Sequence, residues 1–251
     1  MQTNKFLQFL ICPKCKTNNL KFKIKKKILC LNCSYKSNFI SLNNQIIPNL
    51  IFGLKNQLKK NPKDKNFLVK AISKNKCFYP KKKLGFTSLD LGCGESPRGD
   101  CNVDCFLPNP IPKNFILANT DHIPFKKNSF DTIYSFYNIE HMENPSKYIK
   151  DLLYIARKEV FIVTDNSEWI GDIFFRIIGS GRIYHKEHCY KWSKEYMENL
   201  LKRIDISNFR VTLENHSYSP LVNFFYFFSK IIPKLKFFVS RDLVIRIKNK
   251  E

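Results

Sequence analysis

Leu89-Asp90-Leu91-Gly92-Cys93-Gly94 is the stretch from which the rest of the chain is read. Leu89 and Leu91 are the end of a short apolar strand, and Gly92 and Gly94 supply a turn free of side chains. Such a strand-to-turn lets a ligand lie against backbone N–H groups, because glycine tolerates unusual dihedrals and leaves room. A G-x-G after a strand is shared with dinucleotide-binding folds and does not by itself name the ligand. The order of the segments downstream narrows the choice. Asn102-Val103-Asp104 reads as a strand ending in an acid, and Phe115 to Asn119 as another, leading into Asp121-His122-Ile123-Pro124-Phe125. Phe130 to Tyr134 is a further strand, closing on Ile139-Glu140-His141.

This succession resembles the class I S-adenosylmethionine (SAM)-dependent methyltransferases, in the type 11-like branch with motifs of the form DLGCG, ADAxxLPF and FDxVxxxxxxEH. The resemblance spans residues 84–248 and implies an α/β, Rossmann-like open sheet with its ligand at the carboxyl ends of the strands. It also implies SAM as cofactor. Gly92 and Gly94 would let the backbone approach the methionine part, with Asp90 helping to hold its ammonium. Asp104 would accept both ribose hydroxyl protons, and Cys105 and Phe106 would flank the adenine. Asn119 stands where the family more often has an aspartate for the adenine amino group, and Asp121 could substitute for it. The short link Glu95-Ser96-Pro97-Arg98-Gly99-Asp100 leaves no room for the usual long helix before Asp104, a contraction shared with family members of GCGxxPRGxxNVD pattern.

Cys12-Pro13-Lys14-Cys15 and Cys30-Leu31-Asn32-Cys33 are two C-x2-C knuckles. Four thiolates on two facing turns suit tetrahedral structural zinc, and a closed four-cysteine site leaves no position for a substrate. Leu20, Phe22, Ile24, Ile28 and Leu29 between them suggest a lysine-edged hairpin. Residues 1–50 are similar to the short zinc-ribbon activators of tRNA methyltransferases, which implies a recognition or stabilising module. Residues 51–83 read as a basic linker or helical cap, and 84–251 as the methyltransferase domain.

The chain of 251 residues is 43% hydrophobic and 25% charged, as in ordinary globular proteins. Net charge is +22, of which residues 1–83 hold +19 through twenty lysines against Asp64 alone. That asymmetry points to RNA or an anionic membrane surface as partner, or to the codon bias of an AT-rich genome. Nine cysteines without an export signal suggest metal binding in a cytoplasmic protein, peripheral to membrane at most.

After the fourth strand of the methyltransferase region, Asn144-Pro145 opens a helix running through Tyr148, Leu152, Ile155 and Ala156, and Glu159 to Thr164 forms the next strand. Tyr137 stands where E-x-x-E-H metal sites carry their first acid, so Glu140 and His141 are expected to fix the loop into that helix. Ser193 caps a second helix with Tyr196, Met197, Leu200, Leu201 and Ile204 inward. His141, His185 and His188 are the candidate general bases. No Asn-Pro-Pro-aromatic run follows the fourth strand, which argues against the amino-methylating DNA enzymes. The aromatic insertion at 220–239 reads first as core packing, with a lid, a dimer face or a membrane-interface helix as the other readings. The acceptor is open between a small molecule, lipid or glycan precursor and an RNA. A non-catalytic module is disfavoured by the intact Gly92, Gly94 and Asp104.

Overall fold

The computed structural model describes residues 5–23, 27–42, 45–52, 87–171, 188–215, 226–227, 229 and 231–249. The segment between the cysteine pairs folds as an antiparallel hairpin, β1 (Leu20–Lys23) and β2 (Lys27–Cys30), with Phe22 opposite Ile28. β3 (Lys36–Leu42) and β4 (Gln45–Pro48) extend it into a four-stranded antiparallel sheet in chain order.

The second sheet has seven strands. β5 (Ser88–Leu91), β6 (Cys101–Asp104), β7 (Phe115–Leu117), β8 (Phe130–Phe136) and β9 (Ala156–Asp165) run parallel. β10 (Phe209–Glu214) and β11 (Asp242–Lys248) complete it in the order β10-β11-β9-β8-β5-β6-β7, with β11 antiparallel to both neighbours. β5 to β8 show no exposed position, as strands covered on both faces do. The strand order reverses between β5 and β8, and open α/β sheets hold ligands at such a switch point.

Parallel strands are ordinarily joined by a crossover of about a dozen residues or more. Residues 92–100 join β5 to β6 without a helix. Side chains hold this short link: Asp100 accepts from the Ser88 N–H and hydroxyl, both at 3.0 Å, and Asp90 accepts from the Arg98 N–H at 2.8 Å.

Helix α1 (Pro145–Ile155) starts as the sequence predicts, with the Asn144 side chain accepting from the Lys147 N–H. It ends one residue early: Ala156 is extended and opens β9, which is therefore longer than the expected 159–164. In α2 (Lys194–Arg203), Ser193 caps the Tyr196 N–H and Met197 and Leu201 are buried. Tyr196, expected inward, is 71% exposed, because the buried stripe is narrower than the apolar one.

The small sheet is built into the large one. Phe6, Leu10, Ile28, Tyr35 and Leu50 share a single buried cluster with Leu89, Val103, Ile116, Phe130, Tyr148 and Leu152. Phe130 meets the ring of Phe6 at 5.6 Å and that of Phe125, edge-on, at 5.1 Å. Backbone clips flank this apolar contact. The Leu50 N–H donates to the Leu117 carbonyl at 2.7 Å beside the edge strand β7, and Ile11 N–H donates to Pro124 and Lys126 N–H to Phe9, each at 2.9 Å. Covering β7 removes an otherwise open sheet edge.

The described phenylalanines of the aromatic insertion are not core, whereas Val239 and Ser229 are buried. Phe227, Phe237 and Phe238 are 55%, 41% and 53% exposed, the last two because α3 (Lys236–Val239) turns only Val239 inward. The Asn166 amide donates to the carbonyls of Phe237 and Ser240 at 2.7 and 2.8 Å. Residues 220–225, 228 and 230 of the insertion lie outside the described residues, as do 53–83 of the expected linker. Among the described residues, no helix is long and apolar enough to cross a membrane.

One core shared by both sheets has a measurable consequence. Phe6→Ala should lower the unfolding free energy by about 3–5 kcal/mol, the usual cost of emptying a buried Phe site. Trp169 and Trp192, both beyond the small sheet, should report this as one urea transition at a lower midpoint. An unchanged tryptophan midpoint would mean that the two sheets fold independently.

Candidate active site

Gly92 and Gly94 have φ of +71° and +51°, the left-handed region that other residues avoid. At Gly92 there is also no space: an added Cβ would lie 2.8 Å from Asn138 Cγ. Asn138 is held there by α1, since its amide donates to the Tyr148 hydroxyl at 2.8 Å, which also bonds the Ser135 hydroxyl at 2.9 Å. Around Gly94 an added Cβ would meet nothing within 4 Å, so one side of the turn is open to a ligand.

Asp104 ends β6 directly against this turn. Its carboxylate accepts from the Gly94 N–H at 2.9 Å and from the Phe106 N–H at 3.0 Å, one bond to each oxygen. Burial pushes its carboxyl above the usual range, and these N–H groups together with Cys105 oppose the shift. A carboxylate has acceptor capacity for about four hydrogen bonds, so fixing Asp104 by the backbone does not exhaust it. Cys105 and Phe106 follow, both half-buried.

Asp90 is fully buried. Its Oδ2 takes the Arg98 guanidinium at 3.2 Å, and the guanidinium in turn lies 4.5 Å above the Phe136 ring. Burial raises the Asp90 carboxyl to about 6 against the pull of Arg98. Its Oδ1 has no hydrogen-bond partner among the described residues. Asn119 is a local cap: its carbonyl oxygen accepts from the Asp121 N–H at 3.0 Å, while its amide donates to the Phe52 carbonyl at 3.3 Å. Asp121 is half-buried, and burial together with the charge of Glu143 raises its carboxyl.

These residues fit SAM. Two left-handed glycines leave an open backbone face, a pre-positioned acid ends the second strand, and an orphaned carboxylate oxygen lies beneath the turn. The strand-then-acid pattern locates Gly92, Gly94 and Asp104 in the sequence. Nothing in the sequence signals that Asn138 seals Gly92 or that Phe52, from the N-terminal region, reaches Asn119.

Past β8, Glu140 and His141 lie in a 3-10 turn, Ile139–His141. His141 meets His188 edge-on with ring centroids 4.6 Å apart. Glu140 is buried, and its Oε2 accepts from the Thr164 hydroxyl at 3.0 Å. Burial, reinforced by the charge of Asp165, holds its carboxyl well above the usual range. His185 lies outside the described residues.

In the small sheet, the Sγ atoms of Cys12, Cys15, Cys30 and Cys33 all lie within 4.8 Å of one another. The Cys12–Cys33 and Cys15–Cys30 separations are 3.7 and 3.6 Å. Zn–S bonds of ~2.3 Å in a tetrahedron set sulfur–sulfur edges of ~3.8 Å, so the donor set fits zinc.

Residues 104–164, from the end of β6 through β9, match the family model described as a methyltransferase domain. No curated protein matches the chain. Among solved structures, the chain is similar to a SAM-dependent methyltransferase of Thermotoga maritima described as a possible histamine N-methyltransferase, at 15% identity and TM-score 0.46, covering 73% of this chain and 93% of that one. It is also similar to the complex of the Haloferax volcanii Trm112 methyltransferase activator with a protein described as a methyltransferase, at 11% identity and TM-score 0.46, covering 66% and 84%. A third is phosphoethanolamine N-methyltransferase 2 of Haemonchus contortus with SAM, at 16% identity and TM-score 0.43, covering 73% and 52%.

Asp104→Ala should weaken SAM binding by about 1.5–3 kcal/mol for each charged hydrogen bond lost, which calorimetry reads as roughly ten- to a hundredfold or more. Unchanged affinity in a folded variant would displace the ribose from β6. Elemental analysis of protein purified without added metal should give about one zinc per chain. Less than about a tenth of that, with the small sheet intact, would contradict the zinc assignment.

Proposed function

We propose that this chain, a SAM-dependent methyltransferase in its general class, methylates a small molecule, lipid or glycan precursor that enters at the carboxyl ends of β8 and β9. The supporting observation is the character of that end. Asn166, Trp169 and Trp192 are packed there, with Ser167 N–H donating to the Trp192 carbonyl at 2.9 Å and Tyr190 stacked on Trp192 at 5.5 Å. Aromatic and amide groups suit a compact acceptor, whereas the lysine excess lies in the N-terminal region.

Bound SAM supplies a methyl on a sulfonium, which is already an excellent leaving group. The protein's part is therefore mainly placement. Gly92 and Gly94 offer the bare backbone, Asp104 takes the ribose hydroxyls, and Asn138 fixes the turn from the acceptor side. The four cysteines hold structural zinc, and the zinc ribbon stabilises the large sheet by sharing its core.

A second reading, an RNA acceptor, is favoured by one feature of the ribbon. Lys23, Lys27 and Lys36, with Ser37 and Asn38, line a groove of about 530 Å³ on the small sheet. Three lysines on phosphates would give a log–log salt slope of roughly −2 on a single strand.

Radiolabelled SAM offered with extracted metabolites, lipids and RNA distinguishes the two. Label is expected in the metabolite or lipid fraction, unchanged when Lys23, Lys27 and Lys36 are all replaced by Ala. Label in RNA that falls with that replacement would overturn the small-acceptor reading in favour of the second. Point variants suit this test better than deletion of residues 1–83, which would bare Phe125 and Phe130.

A further inference from the structure

Among the described residues, a second set of metal-ligating side chains lies apart from the cysteines. Glu140, His141 and His188 each present one ligand atom, and these atoms lie within 4.8 Å of one another. Glu140 and His141 are neighbours in the turn after β8, but His188 comes from a segment beyond β9. The backbone brings it there: the N–H groups of Cys189 and Tyr190 donate to the Glu140 carbonyl at 2.8 and 3.2 Å. The carboxylate is equally fixed, through Oε2 to the Thr164 hydroxyl on β9.

Glu140 Oε1 is the independent observation. The residue is 2% exposed, and this oxygen has no hydrogen-bond partner among the described residues. An unsatisfied buried acceptor costs about 1–3 kcal/mol, more when charged, so a second role for that oxygen accounts for its retention. Two imidazoles beside it supply the matching donors. Placement adds to this, because Asn138, two residues before Glu140, is the side chain packed on Gly92. The cluster therefore lies on the acceptor side of the cofactor turn.

We propose that Glu140, His141 and His188 bind one divalent first-row cation, whose remaining positions take an oxygen ligand of the methyl acceptor. Two imidazoles and one carboxylate on one side of such an ion leave positions open for exchangeable ligands. A hydroxyl held there becomes more acidic, and its proton passes to solvent. The acceptor atom is then oxygen. The acceptor clause rests on the methyltransferase reading, whereas the metal clause does not.

Manganese is the probe, because it is paramagnetic and thiolate sites prefer softer ions. The full chain holding one equivalent of zinc on its four cysteines, with none in excess, should bind one further Mn²⁺ by electron paramagnetic resonance titration. Glu140→Gln, which keeps the shape, and His188→Ala, which changes a half-buried position, should each weaken it at least tenfold. SAM affinity, measured separately by calorimetry, should stay within twofold. Failure of the wild type to bind manganese at ~1 mM, or equal binding by both variants, would overturn the proposal. Manganese bound through these residues in a protein that binds no SAM would uphold the metal site and remove the methyltransferase reading instead.

Discussion

The hydrogen bond from the Gly94 N–H to the Asp104 carboxylate, 2.9 Å long, joins the ends of two adjacent parallel strands. The site depends on it. With no helix between β5 and β6, the turn that carries Gly92 and Gly94 is not held by a long connection. It is held by Asp104 in front, by the carbonyl of Val103, which takes the N–H groups of Gly92 and Cys93 at 2.9 and 3.1 Å, and by Asn138 behind. A residue expected to recognise the cofactor therefore also shapes the turn. Arg98 plays the corresponding part beneath, where its backbone and guanidinium both engage Asp90.

The short connection has a counterpart in the way the small sheet is attached. The stretch between β7 and β8 forms a 3-10 turn, Thr120–His122, and an extended run. Residues 6–11, which include a 3-10 helix at Leu7–Phe9, bond to that run, and Phe6, Leu10 and Leu50 are buried in the same cluster as residues of β5 and α1. Lys16 adds a hydrogen bond from its ammonium to the Ile123 carbonyl at 3.0 Å. Removing apolar surface of this size from water contributes about 1.5–3 kcal/mol per large side chain. The four-cysteine cluster lies at the edge of this contact, with Cys12 and Cys30 buried in it. A metal bound there would therefore be coupled to the integrity of the large sheet.

How far the sequence carries depends on whether a signal is local. Gly92, Gly94 and Asp104 are legible because their chemistry is set by neighbouring backbone. The two cysteine pairs are legible because ligand spacing is itself a local geometry. The helix start at Asn144-Pro145 is readable, whereas its end is not, since Ala156 is favourable in a helix and only pairing with Phe130 makes it a strand. Tyr196 sits on the apolar side of its helix by periodicity, yet it stays largely exposed. The partnership of Glu140 with His188 is carried by backbone bonds between remote segments, which leave no mark in residue type. Likewise, alternation along the small sheet announces a buried face without naming the sheet that buries it.

The account turns on the end of β6 being the place where the cofactor is gripped. A crystal structure of the full chain with S-adenosylhomocysteine tests this most directly. The ribose hydroxyls should lie within hydrogen-bond distance of Asp104, with the amino-acid part along the backbone of Gly92 to Gly94. A ligand bound elsewhere, or one whose ribose is held by other groups while Asp104 keeps only its backbone partners, would contradict it.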